Sequence, residues 1–123
     1  MIIIDANIWV DHLRGRDDPQ LDDLVVSGQA VMHPHVLGEI ALGSFRNRAA
    51  VISRFDLMPV PNVARDGHVL YMIEEHDLWS TGIGYTDAHL LASALLSPDG
   101  RLWTRDKRLQ TQAERLGVGY APS

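Results

Sequence analysis

The apolar positions of this chain fall in short continuous runs separated by amphipathic stretches, a pattern of buried strands alternating with helices. "MIII" at the N-terminus reads as a short buried strand. "ANIWVDHLRG" follows with apolar side chains at Ile8, Trp9, Val10 and Leu13 before Gly15, the spacing of a helix with a glycine stop. "DDPQLDDLVVSG" predicts a second helix, opened by Asp17 or Asp18 with Pro19 in its first turn, where the missing N–H would have had no helical partner. "QAVMHP" is expected as the second strand and "HVLGEIALGSF" and "NRAAVISRFD" as two more helices. "LMPVP" is expected as a short edge or terminal strand punctuated by prolines.

"VARDGHVLYMIEEHDLW" carries a longer helical pattern, with apolar positions at Val69, Leu70, Ile73 and Leu78. The glycine-bearing loop "STGIGY" then leads to Thr86, a suitable N-cap for "DAHLLASALLS", which is apolar almost all round and should lie deep in the fold. "PDG" turns the chain, "RLWT" reads as a fourth strand, "DKRLQTQAERLG" as a helix with a glycine stop, and "VGYA" as a fifth strand. Strands alternating with helices predict an α/β sandwich around a mostly parallel sheet, and such sheets bind ligands at the carboxyl ends of their strands.

Composition narrows this picture. The 123 residues fit one domain, 1–123, and 46% hydrophobic with 22% charged residues is the balance of a globular fold rather than a disordered one. With no cysteine, disulfides, thiolate catalysis and cysteine-zinc sites are excluded. No basic leader precedes an apolar run, and no stretch approaches the roughly 20 apolar residues of a membrane span, so a cytoplasmic protein with no membrane contact is expected. The formal net charge of −5 speaks against non-specific coating of nucleic acid. Ten of the eleven basic residues are arginine, however, grouped at Arg46/Arg48/Arg54 and at Arg101/Arg105/Lys107/Arg108, and guanidinium forks suit a local phosphate patch as well as a solvated helix face.

Four acids stand where chemistry would be placed. Asp5 ends the first strand and Asp106 follows "RLWT" in the same way. Glu39 lies in the helix after strand two, among Val36, Leu37, Ile40 and Ala41, and Asp87 opens the apolar helix after the glycine loop. Asp106 and Asp87 each have a purely structural reading, as a helix cap and as a partner of a helix dipole. Carboxylates converging on one rim would repel one another unless a cation sat between them. An all-oxygen donor set without cysteine suits a hard ion, Mg²⁺ or Mn²⁺, and phosphodiester chemistry.

In this order and spacing, "IIIDANIWVDHL", "HVLGEIALG", "GIGYTDAHLLASALL" and "LWTRDKRL" resemble the four signature segments of the PIN-domain ribonucleases, in particular the VapC toxins of toxin–antitoxin pairs, over essentially the whole chain. The resemblance implies a three-layer, RNase H-like α/β/α sandwich and Mg²⁺- or Mn²⁺-dependent endoribonuclease activity. It also implies an RNA substrate, frequent homodimerisation and inhibition by a cognate antitoxin whose C-terminal segment places an Arg or Lys among the carboxylates. Asp5, Glu39, Asp87 and Asp106 match the acidic quartet as catalytic and metal-holding residues. Asn7 and Thr104 match polar positions that would orient the acids or a water, and Ala6 departs from the hydroxyl residue common at its position. Asp11 is expected to be structural. Arg105 is a candidate contact to the RNA phosphate, Trp79 and Tyr85 are candidates to stack on an unpaired base, and the helices "NIWVDHLRG" and "NRAAVISRF" are candidate docking or dimer surfaces. Three other readings remain from the residues alone. His33, His35 and Glu39 form an N/N/O group suited to a zinc hydrolase, Asp5 suits an aspartyl-phosphate enzyme, and the fold could serve as a non-catalytic interaction module.

Overall fold

The computed structural model describes residues 1–122. Its centre is the parallel strand β1 (Ile2–Ile4), flanked by β2 (Ala30–Val31) and β3 (Arg101–Trp103) in the order β2-β1-β3. Ile2 pairs with Ala30 and Arg101, and Ile4 with Trp103. Successive strand residues point to opposite faces, and Ile3 and Ile4 are both fully buried. Both faces of β1 are therefore covered, as in a three-layer α/β sandwich with an all-parallel sheet.

The helices are α1 (Ala6–Leu13), α2 (Pro19–Val26), α3 (Pro34–Ala41), α4 (Arg48–Asp56), α5 (Asp66–Glu75), α6 (Tyr85–Leu96) and α7 (Lys107–Arg115). α2 opens on Asp18, whose side chain accepts from the Gln20 N–H, with Pro19 in the first turn. α6 packs against β1, β3 and α5, as its nearly uninterrupted apolar surface predicts. Among the described residues no helix is long and apolar enough to cross a membrane.

Four expectations need correction. "LMPVP" forms no strand, because Pro59 and Pro61 have no N–H to donate to a ladder; its link to the sheet edge is the Met32 N–H donating to the Pro59 carbonyl at 2.8 Å. "VGYA" is reduced to a single bridge between Leu102 and Gly119, held by Leu102 N–H to Val118 O at 2.8 Å and Tyr120 N–H to Leu102 O at 2.9 Å. The long helical pattern ending at Trp79 stops at Glu75. There Asp77 turns left-handed (φ 52°) and the Leu78 N–H folds back to the Ile73 carbonyl at 2.9 Å, which buries Leu78. Finally, α6 is capped by Gly84 rather than Thr86. Asp87, three residues on, reaches back to accept from the Gly84 N–H at 3.0 Å, which supplies the helix start that a glycine side chain cannot.

Candidate active site

Because the three strands run parallel, they end on one edge, which brings Asp5, His33 and Thr104 to the same rim. Asp5 is both the end of a strand and the cap of a helix. Its N–H donates to Trp103 O at 2.9 Å, and its Oδ1 accepts from the Ala6 N–H at 2.7 Å. Its Oδ2 accepts from the Thr104 hydroxyl at 2.7 Å and from Asn7 Nδ2 at 3.3 Å. Asn7 also donates to Thr104 Oγ1 at 3.3 Å and accepts the Arg105 N–H at 3.3 Å, while Thr104 Oγ1 accepts the Asp106 N–H at 3.1 Å. Asn7 and Thr104 thus tie the first acid to the last across β1 and β3.

The remaining acids approach from helices. Asp87, half-buried, sits in the first turn of α6. Asp106 caps α7, accepting from the Leu109 N–H at 3.0 Å. Glu39 lies exposed on α3. Electrostatics shows that the four share a field. Burial raises the Asp5 carboxyl above its ordinary value against the opposing hydrogen bonds from Thr104 and Ala6, and the charges of Asp87 and Asp106 push it further. Burial, then Asp5 and Asp87, raise Glu39. Burial raises Asp87 too, partly offset by its Gly84 hydrogen bond, with Asp106 adding to the rise.

Carboxylates that hold one another's pKa values up are a donor set suited to a hard cation. Among the described residues no three His, Asp or Glu groups close into a ready-made metal cage. An all-carboxylate donor set suits a hard cation such as Mg²⁺, which is commonly held by one or two carboxylates with waters and substrate phosphates completing the shell. The His33, His35 and Glu39 group is not assembled as a ligand set. His33 is fully buried, its Nδ1 accepts the His35 N–H at 3.0 Å as the cap of α3, and Glu39 points into solvent. Burial, with His35 and His89, lowers His33 to about 4, so it is a neutral buried side chain.

Arg105 does not stand free at the rim. Its guanidinium pairs with Asp11 at 2.5 Å and Asp18 at 3.2 Å, stapling the segment after β3 to α1 and to the start of α2, so Asp11 has a structural role. Arg48 is likewise engaged, donating to the Ala41 and Gly43 carbonyls at the end of α3. Two features escaped the sequence. Asp66 on α5 accepts from both the Tyr85 hydroxyl at 2.7 Å and His89 Nε2 at 2.9 Å, clamping the first turns of α6 on either side of Asp87. Arg108 lies over the glycine loop, and a side chain at Gly82 would meet its Cδ at 2.8 Å. For the clamp the sequence offered only the i, i+4 spacing of Tyr85 and His89, which puts them on one helix face without naming Asp66 as their partner.

Away from the rim, a cleft of about 510 Å³ opens between α1, α2 and α4, lined by Trp9, Leu13, Leu21, Val25 and Phe55 with Arg54 and Asp22 at its border. It lies against both helices singled out as docking candidates.

A parallel sheet carrying four acids at its carboxyl edge defines the class, an acidic-rim α/β domain. The family profile described as PIN domain matches residues 2–115, and the chain belongs to the PIN-domain family, of the VapC type. It is 40% identical over 122 residues to Ribonuclease VapC32 of Mycobacterium tuberculosis, in both the CDC 1551 / Oshkosh and the H37Rv strains, covering 98% of this chain and 97% of the relative. In fold it is similar to the crystal structure of PAE2754 from Pyrobaculum aerophilum, with a TM-score of 0.60 at 17% identity over 96% of this chain and 81% of that one.

Proposed function

We propose that this chain is a Mg²⁺- or Mn²⁺-dependent endoribonuclease and the toxin of a toxin–antitoxin pair, cutting RNA to arrest translation or growth in the cytoplasm. One observation carries the reading. Asp5 is braced by Asn7 and Thr104, and its burial together with the charges of Asp87 and Asp106 raises its pKa, an arrangement that costs stability unless positive charge is brought to it. The activity and the toxin role also draw on the VapC-type relative.

In this reading Asp5, Glu39, Asp87 and Asp106 hold one or two divalent ions. Such an ion, when bound, supplies Lewis acidity at the scissile phosphate and lowers the pKa of water. The chain's own part is placement. Asn7 and Thr104 fix the Asp5 oxygens, the Leu109 N–H orients Asp106, and the Gly84 N–H orients Asp87. Water adds to phosphorus as the P–O3′ bond breaks, leaving a 5′-phosphate and a 3′-hydroxyl. No side-chain nucleophile is required. The antitoxin occupies the cleft between α1, α2 and α4 and extends a basic side chain to the rim, and the toxin acts as a homodimer.

The test is incubation of partner-free protein with total cellular RNA in Mg²⁺, Mn²⁺ or EDTA beside Asp5→Asn, with the cut ends mapped by sequencing. Metal-dependent cuts at a few sites, lost in Asp5→Asn, are expected. Metal binding without any cut would transfer the chain to the interaction-module reading.

A further inference from the structure

The loop between α5 and α6 is built more firmly than a connector needs. The Thr81 hydroxyl donates to Leu78 O at 2.6 Å and Arg115 donates to His76 O at 2.6 Å, bracing a segment in which Asp77, Ser80 and Gly82 all have left-handed backbones. This loop presents two large aromatic rings to solvent, Trp79 at 61% and Tyr85 at 45% exposure, whereas Trp9 and Trp103 are buried. Between them lies a cleft of about 200 Å³ that also includes Ile83, Gly84 and Ala88. Drug-sized ligands take roughly 300–1,000 Å³, so this cleft suits one planar ring and not a whole nucleotide.

The cleft adjoins the acidic rim through Gly84, which lines it and whose N–H donates to Asp87 Oδ2 at 3.0 Å. Its Tyr85 wall is preset, with the hydroxyl bound to Asp66 and the ring edge-on to His89 at 4.9 Å and 88°. Arg108 lies against Gly82 of the same loop, and among the described residues no carboxylate pairs with it, in contrast to Arg105. Exposed aromatics beside a free guanidinium are the elements of a single-stranded nucleic-acid site, where ring faces take bases and the cation takes the backbone.

Resting on the ribonuclease reading above, we propose that the Trp79/Tyr85 cleft receives an unpaired RNA base next to the scissile phosphate, with Arg108 on the adjoining phosphate. A base held in a duplex stack cannot enter it, so the site reads an unpaired nucleotide.

The test is binding to the uncut complex. Asp5→Asn is titrated in Mg²⁺ with eight-nucleotide single strands of A, U, C or G and with an abasic strand of equal length, following tryptophan emission and its accessibility to acrylamide. Trp79 is the exposed tryptophan and so dominates the accessible signal. Base-bearing strands are expected to quench and shield it while the abasic strand does not. With variant affinities read from the fluorescence anisotropy of a 5′-labelled strand, Trp79→Leu should weaken binding roughly five- to a hundredfold, Trp79→Phe should keep most of it, and Arg108→Gln should weaken the abasic and base-bearing strands alike. Equal quenching by the abasic strand, wild-type affinity in Trp79→Leu, or a tryptophan silent to every strand would overturn the proposal and leave the cleft to a protein segment. The two readings separate cleanly. Shielding of Trp79 with no RNA cut by the wild type sinks the ribonuclease alone, and cutting with Trp79 untouched sinks the base site alone.

Discussion

Asp5 and Glu39 bring the same charge to the same rim and are held there in opposite ways. Asp5 is 7% exposed and receives hydrogen bonds from Ala6, Asn7 and Thr104, whereas Glu39 is exposed and, among the described residues, receives none. A carboxylate with one rotamer in a fixed cradle offers a fixed negative centre to a cation. One on a solvent-facing helix adds charge to that centre and can move. Preorganisation is thus concentrated at the β1–β3 end of the rim and thins out toward α3, a division that substitutions can break or sharpen.

The largest effect should come from the cradle. Thr104→Val removes the hydroxyl that donates to Asp5 Oδ2 and accepts the Asp106 N–H, so it loosens two acids at once while keeping the side chain's shape. Groups that orient ligands in this way commonly contribute ten- to a hundredfold in activity or metal affinity, and cleavage should fall by about that factor. Leaving the part-buried Asp106 N–H and the buried Asp5 oxygen each short of a partner should also cost about 1–2 kcal/mol of stability. Thr104→Ser should restore most of both. If Thr104→Val cut RNA at the wild-type rate, Asp5 would need no bracing and the contrast with Glu39 would collapse.

The second effect is on stability against pH in the absence of metal. The Asp5 carboxyl is raised in the fold above its ordinary 3.8, so its contribution is fully present below that value and is lost as pH rises through the folded-state pKa. His33 works the other way. Lowered to about 4 from 6.5, it contributes stability above 6.5 that is lost as pH falls toward 4. The wild-type curve mixes these with Glu39 and Asp87, which are raised as Asp5 is, but the difference between Asp5→Asn and wild type removes His33 and keeps the part that depends on Asp5. In EDTA, Asp5→Asn should gain on the wild type in Tm as pH rises from the ordinary 3.8 through the raised folded-state pKa of Asp5, and Mg²⁺ should narrow the gap by stabilising the wild type. A gap that stayed flat with pH would show that the Asp5 charge is not strained.

How much of this was legible before the fold is instructive residue by residue. Asp5, Asn7 and Thr104 could be read because each stands beside the end of a short apolar run, and a parallel sheet forces such ends together. The start of α6 was misplaced because its cap operates in reverse, from Asp87 back to a glycine, where a forward search finds Thr86. "LMPVP" is apolar enough for a strand yet lacks the N–H groups that a ladder needs. The Asp66–His89 pair spans 23 residues, and Arg108 against Gly82 joins loop and helix across the fold, so neither has any local signature. Exposure of Glu39 was hidden too, since its apolar neighbours turn the rest of α3 inward.

Glu39→Gln is the smallest and most discriminating change. Glu39 is exposed and unbonded, so the substitution should leave stability within about 0.5 kcal/mol of wild type. Its pKa is nonetheless raised by burial and by Asp5 and Asp87, which places it within reach of their charge. A charge so open to water is worth about 0–1 kcal/mol, which translates into a shift of roughly fivefold or less in the Mg²⁺ concentration that half-activates cleavage. Raising Mg²⁺ should therefore recover the activity of Glu39→Gln, while no Mg²⁺ concentration recovers Asp5→Asn. Should Glu39→Gln prove as inert as Asp5→Asn at tenfold higher Mg²⁺, Glu39 would hold the ion as tightly as Asp5 does, and the rim would be braced at one end only until metal arrives to order the other.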